Sequence, residues 1–169
     1  MRTKLLSALC VLCLALGLCA CSGGDGTTDT TAKADMEDLQ AALLAADPSL
    51  PEMLSVTGDV EDAARLFTYV SDFPYEKVEN FLLSYSATGK ADEIAVIAVK
   101  DKADIDAAAQ TLRDHLEDRL KLFRQYEPEE VARAEQGQVF TSGPYAVLII
   151  CDDGAAVKTA FEDYLAALS

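Results

Sequence analysis

The sequence predicts an α+β fold, a four-stranded antiparallel sheet built from two strand–strand–helix (ββα) units and preceded by N-terminal helices. Three observations carry that expectation. Apolar, strand-like runs come in two pairs, 78–87 with 94–99 and 138–142 with 145–151. A turn signal separates the members of each pair, Gly89-Lys90 in the first and Ser142-Gly143-Pro144 in the second. Each pair then leads into a stretch whose apolar residues recur at helical spacing. The simplest packing lays the two long helices across one face of the sheet.

The chain opens as an export signal. Arg2 and Lys4 precede an apolar run at 5–18, and no acid occurs before Asp25. A membrane span needs about 20 apolar residues, so this run is short for one. Leu18-Cys19-Ala20-Cys21 resembles the bacterial lipobox, in which a Leu three positions before and a small residue directly before the cysteine mark the cut. Cys19 fits less well, because Leu18 occupies the position that should be small. Cys10 and Cys13 lie inside the apolar run. The resemblance implies that residues 1–20 are a lipoprotein signal peptide and that Cys21 is acylated by diacylglycerol, with palmitate-type chains. Two acyl chains hold a protein on a bilayer where one does not. The mature protein is therefore expected on the outer face of the cell membrane, anchored and not spanning it.

Removing residues 1–20 from a chain of 169 leaves enough for one domain with its own core. Residues 22–33 contain no apolar side chain larger than Ala and cannot offset their ordering entropy. Residues 21–34 are accordingly read as the lipidated cysteine and a flexible tether, reaching roughly 20 Å. Residues 35–169 are read as a single α+β domain. Net charge is −15, and loss of Arg2 and Lys4 without any acid makes the mature chain more negative still. Such a balance excludes nucleic acid as a partner, whose binding needs a basic surface. It also opposes the body of the protein lying flat on anionic headgroups. Of five cysteines only Cys151 follows Cys21, so no disulfide can form inside the domain.

Along the domain, a first helix is predicted from Asp35, with Met36, Leu39, Leu43 and Ala46 on one face, ending before Asp47-Pro48. Pro48 and Pro51 make a turn. A shorter helix carries Val60, Ala63, Ala64, Phe67 and Val70, with Asp59 placed to cap it. The first strand pair follows, then a long helix over 104–126 with the stripe Ile105, Ala109, Leu112, Leu116, Leu120 and Phe123, closed by Pro128. After the second strand pair, a last helix shows Val157, Ala160, Phe161, Tyr164, Leu165 and Leu168. The runs 94–99 and 145–151 are apolar at successive positions, which marks central strands covered on both faces. The N-terminal helices can supply the second cover; otherwise that face is a partner site.

From about Met36 onward the chain resembles a family of bacterial lipoproteins known as domain of unknown function 4358. The resemblance rests on Ala91-Asp92-Glu93-Ile94-Ala95-Val96-Ile97-Ala98-Val99-Lys100-Asp101, on the helix end Phe123-Arg124-Gln125-Tyr126-Glu127-Pro128, and on Gly143-Pro144-Tyr145 before an apolar strand, an acidic turn and a final helix. It implies a surface lipoprotein of a Gram-positive bacterium and no activity, ligand or catalytic residue.

The chemistry-bearing residues are few. The single histidine, His115, sits at the edge of the long helix's apolar stripe, and no Gly-x-Ser-x-Gly elbow accompanies it. Cys151 ends a buried-looking strand with no basic cluster to lower its thiol pKa. One His and one free Cys cannot build a zinc site of about four ligands. Asp101, Asp104 and Asp106, like Asp152 and Asp153, stand where strand gives way to helix, and acids there satisfy free N–H groups and the helix dipole. Neither set has the alternation of a calcium loop. Asp92 and Glu93 are read as the solvated entrance to a central strand. Arg113, Arg119, Lys121 and Arg124 form a basic set on the long helix, interleaved with acids such as Glu117, four residues before Lys121. They are the candidate partner-binding residues, for an acidic protein or a wall polymer. No catalytic, metal or cofactor site is expected. The chain is read as a non-enzymatic, membrane-anchored binding or assembly module. The alternatives are a carboxylate-dependent extracytoplasmic hydrolase, which needs two facing acids in a cleft, and a solute-capture lipoprotein, for which one small domain lacks the usual two-lobed clamp.

Overall fold

The computed structural model describes residues 33–169, so the signal segment, Cys21 and most of the expected tether lie outside the described residues. Helix α1 (Met36–Ala46) begins where the Asp35 carboxylate accepts the N–H groups of Glu37 and Asp38, at 2.9 and 3.0 Å. It stops at Asp47, whose extended backbone is what a following proline demands.

The sheet has five strands, not the four expected. They are β1 (Met53–Thr57), β2 (Val78–Ser86), β3 (Glu93–Val99), β4 (Gln138–Ser142) and β5 (Tyr145–Ile150). Their order is β1-β2-β3-β5-β4, antiparallel at every step. Strand β1 escapes a reading by pattern because it is short and lies between Pro51 and Gly58, within what reads as a turn. It becomes a strand through pairing, with Leu54 opposite Tyr85 and Val56 opposite Leu83. Gly58 follows it at a register shift in β2, where the Asn80 side chain accepts the Gly58 N–H at 3.0 Å and occupies the space a Cβ would take.

The two long helices lie on opposite faces, which corrects the expectation of one shared face. Helix α3 (Ile105–Tyr126) sets Ala108, Ala109 and Leu112 against Phe81, Leu83, Ala95, Ile97 and Leu148. Helix α5 (Gly154–Ala167) sets Val157 and Phe161 against Ile94, Val96, Val147 and Ile149 on the other side. Alternation explains the split, since successive residues of β3 and β5 point to opposite faces and both sets are apolar. Helix α1 lies beside α5 and completes that second layer with Met36, Leu39 and Leu43. The second face is thus covered, as the doubly apolar strands require, and is not left open for a partner. On the first face, α2 (Ala63–Phe67) adds Phe67, whose ring meets Phe81 edge-on at 5.2 Å. Its cap position is Asp62, without a side-chain cap bond, whereas Asp59 instead accepts from Asn80 at 3.2 Å. Pro128 opens a further turn that leads into α4 (Val131–Ala134), a short helix that the sequence pattern does not predict.

The chain enters this fold at a fixed place. The Ala34 N–H donates to the Tyr145 hydroxyl at 3.0 Å, the Tyr164 hydroxyl donates to the Asp35 carbonyl at 3.2 Å, and Lys33 pairs with Glu79. Entry therefore lies where β2 and β5 begin. The opposite end of the sheet, where β3 begins and β5 ends, is where the charged residues collect.

Candidate functional site

Glu93 is the first residue of β3, and alternation turns its side chain toward α3. It is 2% exposed, a burial that an unpaired carboxylate does not tolerate. Two residues one turn apart on α3 meet it. The His115 Nε2 lies 2.7 Å from Oε1, and Arg119 Nη1 lies 3.2 Å from Oε2. The same guanidinium donates through Nη2 to the carbonyls of Lys90 and Ala91, at 3.4 and 3.3 Å, and sits 4.9 Å above the Phe123 ring. Its Nε is the one buried side-chain polar atom without a partner among the described residues.

Next to it Asp92, 1% exposed, accepts from Arg133 at 2.9 Å, and Arg133 reaches on to Asp152 at 3.0 Å. Burial pushes the Asp92 carboxyl above its ordinary value, and the Arg133 charge only partly opposes this. Glu130 accepts the Ala91 N–H at 2.9 Å. The β2–β3 hairpin is thus gripped by side chains from α3, α4 and the turn between them.

A third cluster joins the end of α1 to the start of α5. Asp47 accepts from the Ser49 N–H at 2.9 Å, the Ser49 hydroxyl at 2.6 Å and the Asp153 N–H at 2.9 Å. Burial alone raises the Asp47 carboxyl, but these hydrogen bonds, with one from the Cys151 thiol, outweigh it and hold the group at about 2. The thiol feels the reverse: burial first, then the Asp47 carboxylate, push Cys151 up to about 12. A buried thiol so far from its thiolate is no nucleophile at neutral pH.

A shallow cleft of about 190 Å³ opens between residues 68–72 and α3, lined by Tyr69, Asp72, Asp114, His115 and Asp118 among others. The Ser71 and Thr111 hydroxyls close one side at 2.7 Å. His115 links the cleft to buried Glu93.

Asp92 and Glu93 are not the solvated strand entrance that the sequence reading expected. Both are buried, each with an arginine. The basic set is divided. Arg119 turns inward to Glu93, Lys121 is met by Glu117 and Asp118 at 3.2 and 3.0 Å, Arg124 pairs with Glu135 at 3.0 Å, and Arg113 donates to Gln110 at 3.4 Å. Asp101 and Asp153 serve as helix-start acceptors, for Ala103 and Ala156, whereas Asp104 pairs with Lys77 and Asp152 with Arg133. Among the described residues no group of three or more His, Cys, Asp or Glu is arranged to hold a metal ion. Sequence reasoning missed the buried triad. Its signal was the pair His115 and Arg119, four apart beside the stripe of Leu112 and Leu116, since two potential cations turned toward a core call for a buried acid.

A family model described as a domain of unknown function, DUF4358, matches residues 55–151. That segment holds nearly the whole sheet and α2, α3 and α4, and leaves out α1 and α5. No curated protein and no solved structure matches the chain.

Proposed function

The chain belongs to the DUF4358 family, and from that premise we propose that it is a membrane-anchored extracytoplasmic lipoprotein whose domain is a non-enzymatic binding or assembly module. One observation carries the second half of this reading: the buried ionisable groups are consumed by the structure. Glu93 is held by His115 and Arg119, Asp92 by Arg133, Asp47 by backbone and hydroxyl donors, and the Cys151 thiol stays protonated. A general base or nucleophile needs a reactive atom left facing a substrate.

The anchor rests on Leu18 to Cys21 and on the apolar-poor residues that follow. Among the described residues no helix is long and apolar enough to cross a membrane. The test is the intact mass of protein extracted from membranes, with Cys21→Ala beside it. An N-terminus at Cys21 carrying diacylglycerol, absent in the variant, supports the reading. Any other N-terminus, or Cys21 without acyl mass, overturns it.

A second reading, an extracytoplasmic hydrolase, draws on one feature. His115 lines the cleft and is oriented by Glu93, as a histidine base is by its carboxylate. The Ser71 hydroxyl, however, is bonded to Thr111 and not to His115. Turnover of ester or glycoside substrates that disappears in a folded His115→Gln protein favours the enzyme; no turnover in either form favours the module.

A further inference from the structure

The surface beside the cleft leaves two apolar side chains uncovered. On the α3 side of the sheet Phe81 and Leu83 are buried, but the next residue on that face, Tyr85, is 36% exposed, and its cross-strand neighbour Leu54 is 47% exposed. Tyr85 stands opposite Glu93, Glu93 holds His115, and His115 lines the cleft with Tyr69, which is 62% exposed. The apolar pair and the cleft therefore adjoin across the buried Glu93–His115 hydrogen bond. The carboxylates of the cleft are Asp72, Asp114 and Asp118, and no lysine or arginine lines it. The neighbouring cations are already engaged. Lys121 lies on Glu117 and Asp118, Arg119 on Glu93, and Arg65 on Asp62 and the Tyr69 hydroxyl, at 3.1 and 3.2 Å. Asp118 is thereby occupied, and Asp114 accepts one neutral donor, the Gln110 amide at 2.8 Å, which leaves its charge uncompensated.

We infer that this surface docks a basic, apolar-flanked segment of a partner protein. One lysine or arginine enters the cleft between Tyr69 and the carboxylates of Asp72 and Asp114, and a neighbouring apolar side chain lies on Tyr85 and Leu54. Size fits the assignment: about 190 Å³ is below the roughly 300–1,000 Å³ of pockets that enclose small molecules. Charge selects among occupants. A second copy of the chain brings another −15, and anionic lipid or wall polymer meets the same carboxylates with repulsion. A cation against an exposed tyrosine ring is attracted by the face of that ring as well. The inference rests on the reading of the domain as a binding module and gives that module its surface.

The test is chemical-shift mapping of the mature chain with a defined probe, the peptide Ala-Leu-Lys-Arg-Leu-Ala, and a counterpart with glutamate at both basic positions. Saturable shifts centred on Tyr69, Tyr85, Asp114 and His115 are expected with the basic peptide and none with the acidic one. Asp72→Asn combined with Asp114→Asn should weaken binding at least tenfold at unchanged Tm, both being surface residues, and Leu54→Ser should weaken it without touching the acids. Shifts centred elsewhere, an unaltered affinity in the double variant, or no saturable binding would overturn the inference. The peptide is added in solution, so absence of the lipid anchor would leave this result as it is; the two readings fail separately.

Discussion

Asp47 holds the ends of two helices together through its charge, and its removal should register as a pH-dependent loss of stability. Its carboxyl sits at about 2 against an ordinary 3.8. At about 1.4 kcal/mol per pH step the difference corresponds to about 2 kcal/mol. The sign follows from the folded value being the lower one. The stabilisation is complete above the unfolded value of 3.8 and is lost as pH falls through the folded value near 2. Asp47→Asn supplies one carbonyl oxygen where Oδ1 serves Ser49 and Oδ2 serves Asp153, so an amide N–H₂ must face one of those donors. Urea unfolding at pH 6 should place the variant about 2 kcal/mol below the parent, a midpoint lower by about 1 M for a slope near 2 kcal/mol/M. The gap should narrow steadily from pH 4 to pH 2 as the parent carboxyl is protonated too. Equal midpoints at pH 6, or a gap that stays constant with pH, would refute the assignment of the stabilisation to the Asp47 charge.

Glu93→Ala leaves the Arg119 guanidinium beside an empty buried position and takes the hydrogen-bond partner from His115, and unfolding equilibria should show a loss of about 3–5 kcal/mol; a loss under 1 kcal/mol would mean that water reaches this end of the sheet. Cys151 is buried and its thiol lies at about 12, so a water-soluble thiol reagent should label it only with denaturant present, followed by mass shift. Val147→Asp places an uncompensated charge where the native side chain is fully enclosed and should abolish the cooperative unfolding transition; a folded variant would mean the second helical layer is loosely held. Gly137→Ala drives a methyl to within 2.9 Å of the Ala134 carbonyl and 2.8 Å of Leu116, and thermal unfolding should fall by about 1–3 kcal/mol.

What was legible in the sequence was local. The stripe of α3, the doubly apolar runs of β3 and β5, and the Asp35 cap are written within a few residues of one another, and each is where its pattern places it. What was not legible depends on partners distant in sequence. Strand β1 is a strand because β2 pairs with it, and its own residues, between a proline and a glycine, resemble a turn. Glu93 and His115 are 22 residues apart and Asp47 and Asp153 are 106 apart. No composition or period encodes such meetings, so carboxylates at strand and helix ends read as solvated until the fold buries them. The assignment of the long helices to one face failed for a related reason. Equal hydrophobicity on both sides of β3 and β5 leaves the choice of face to chain connections, which periodicity does not report.

The layer made by α1 and α5 joins the first and last helices of the fold, and this shapes the order in which the chain can fold. A chain that emerges N-terminus first delivers Met36, Leu39 and Leu43 early, yet the Val157 and Phe161 they share a layer with arrive only with the final residues. Closing so long a loop is entropically slow and is rewarded only once the far contacts form. Until then Ile94, Val96, Val147 and Ile149 lack the α5 half of their second cover, and the nascent sheet carries an apolar face that sticks to others like it. Loss of the last dozen residues would therefore do more than shorten a helix: it would take Phe161 out of the layer, leave α1 with the sheet but little of α5 beside it, and favour that adhesive, half-closed form.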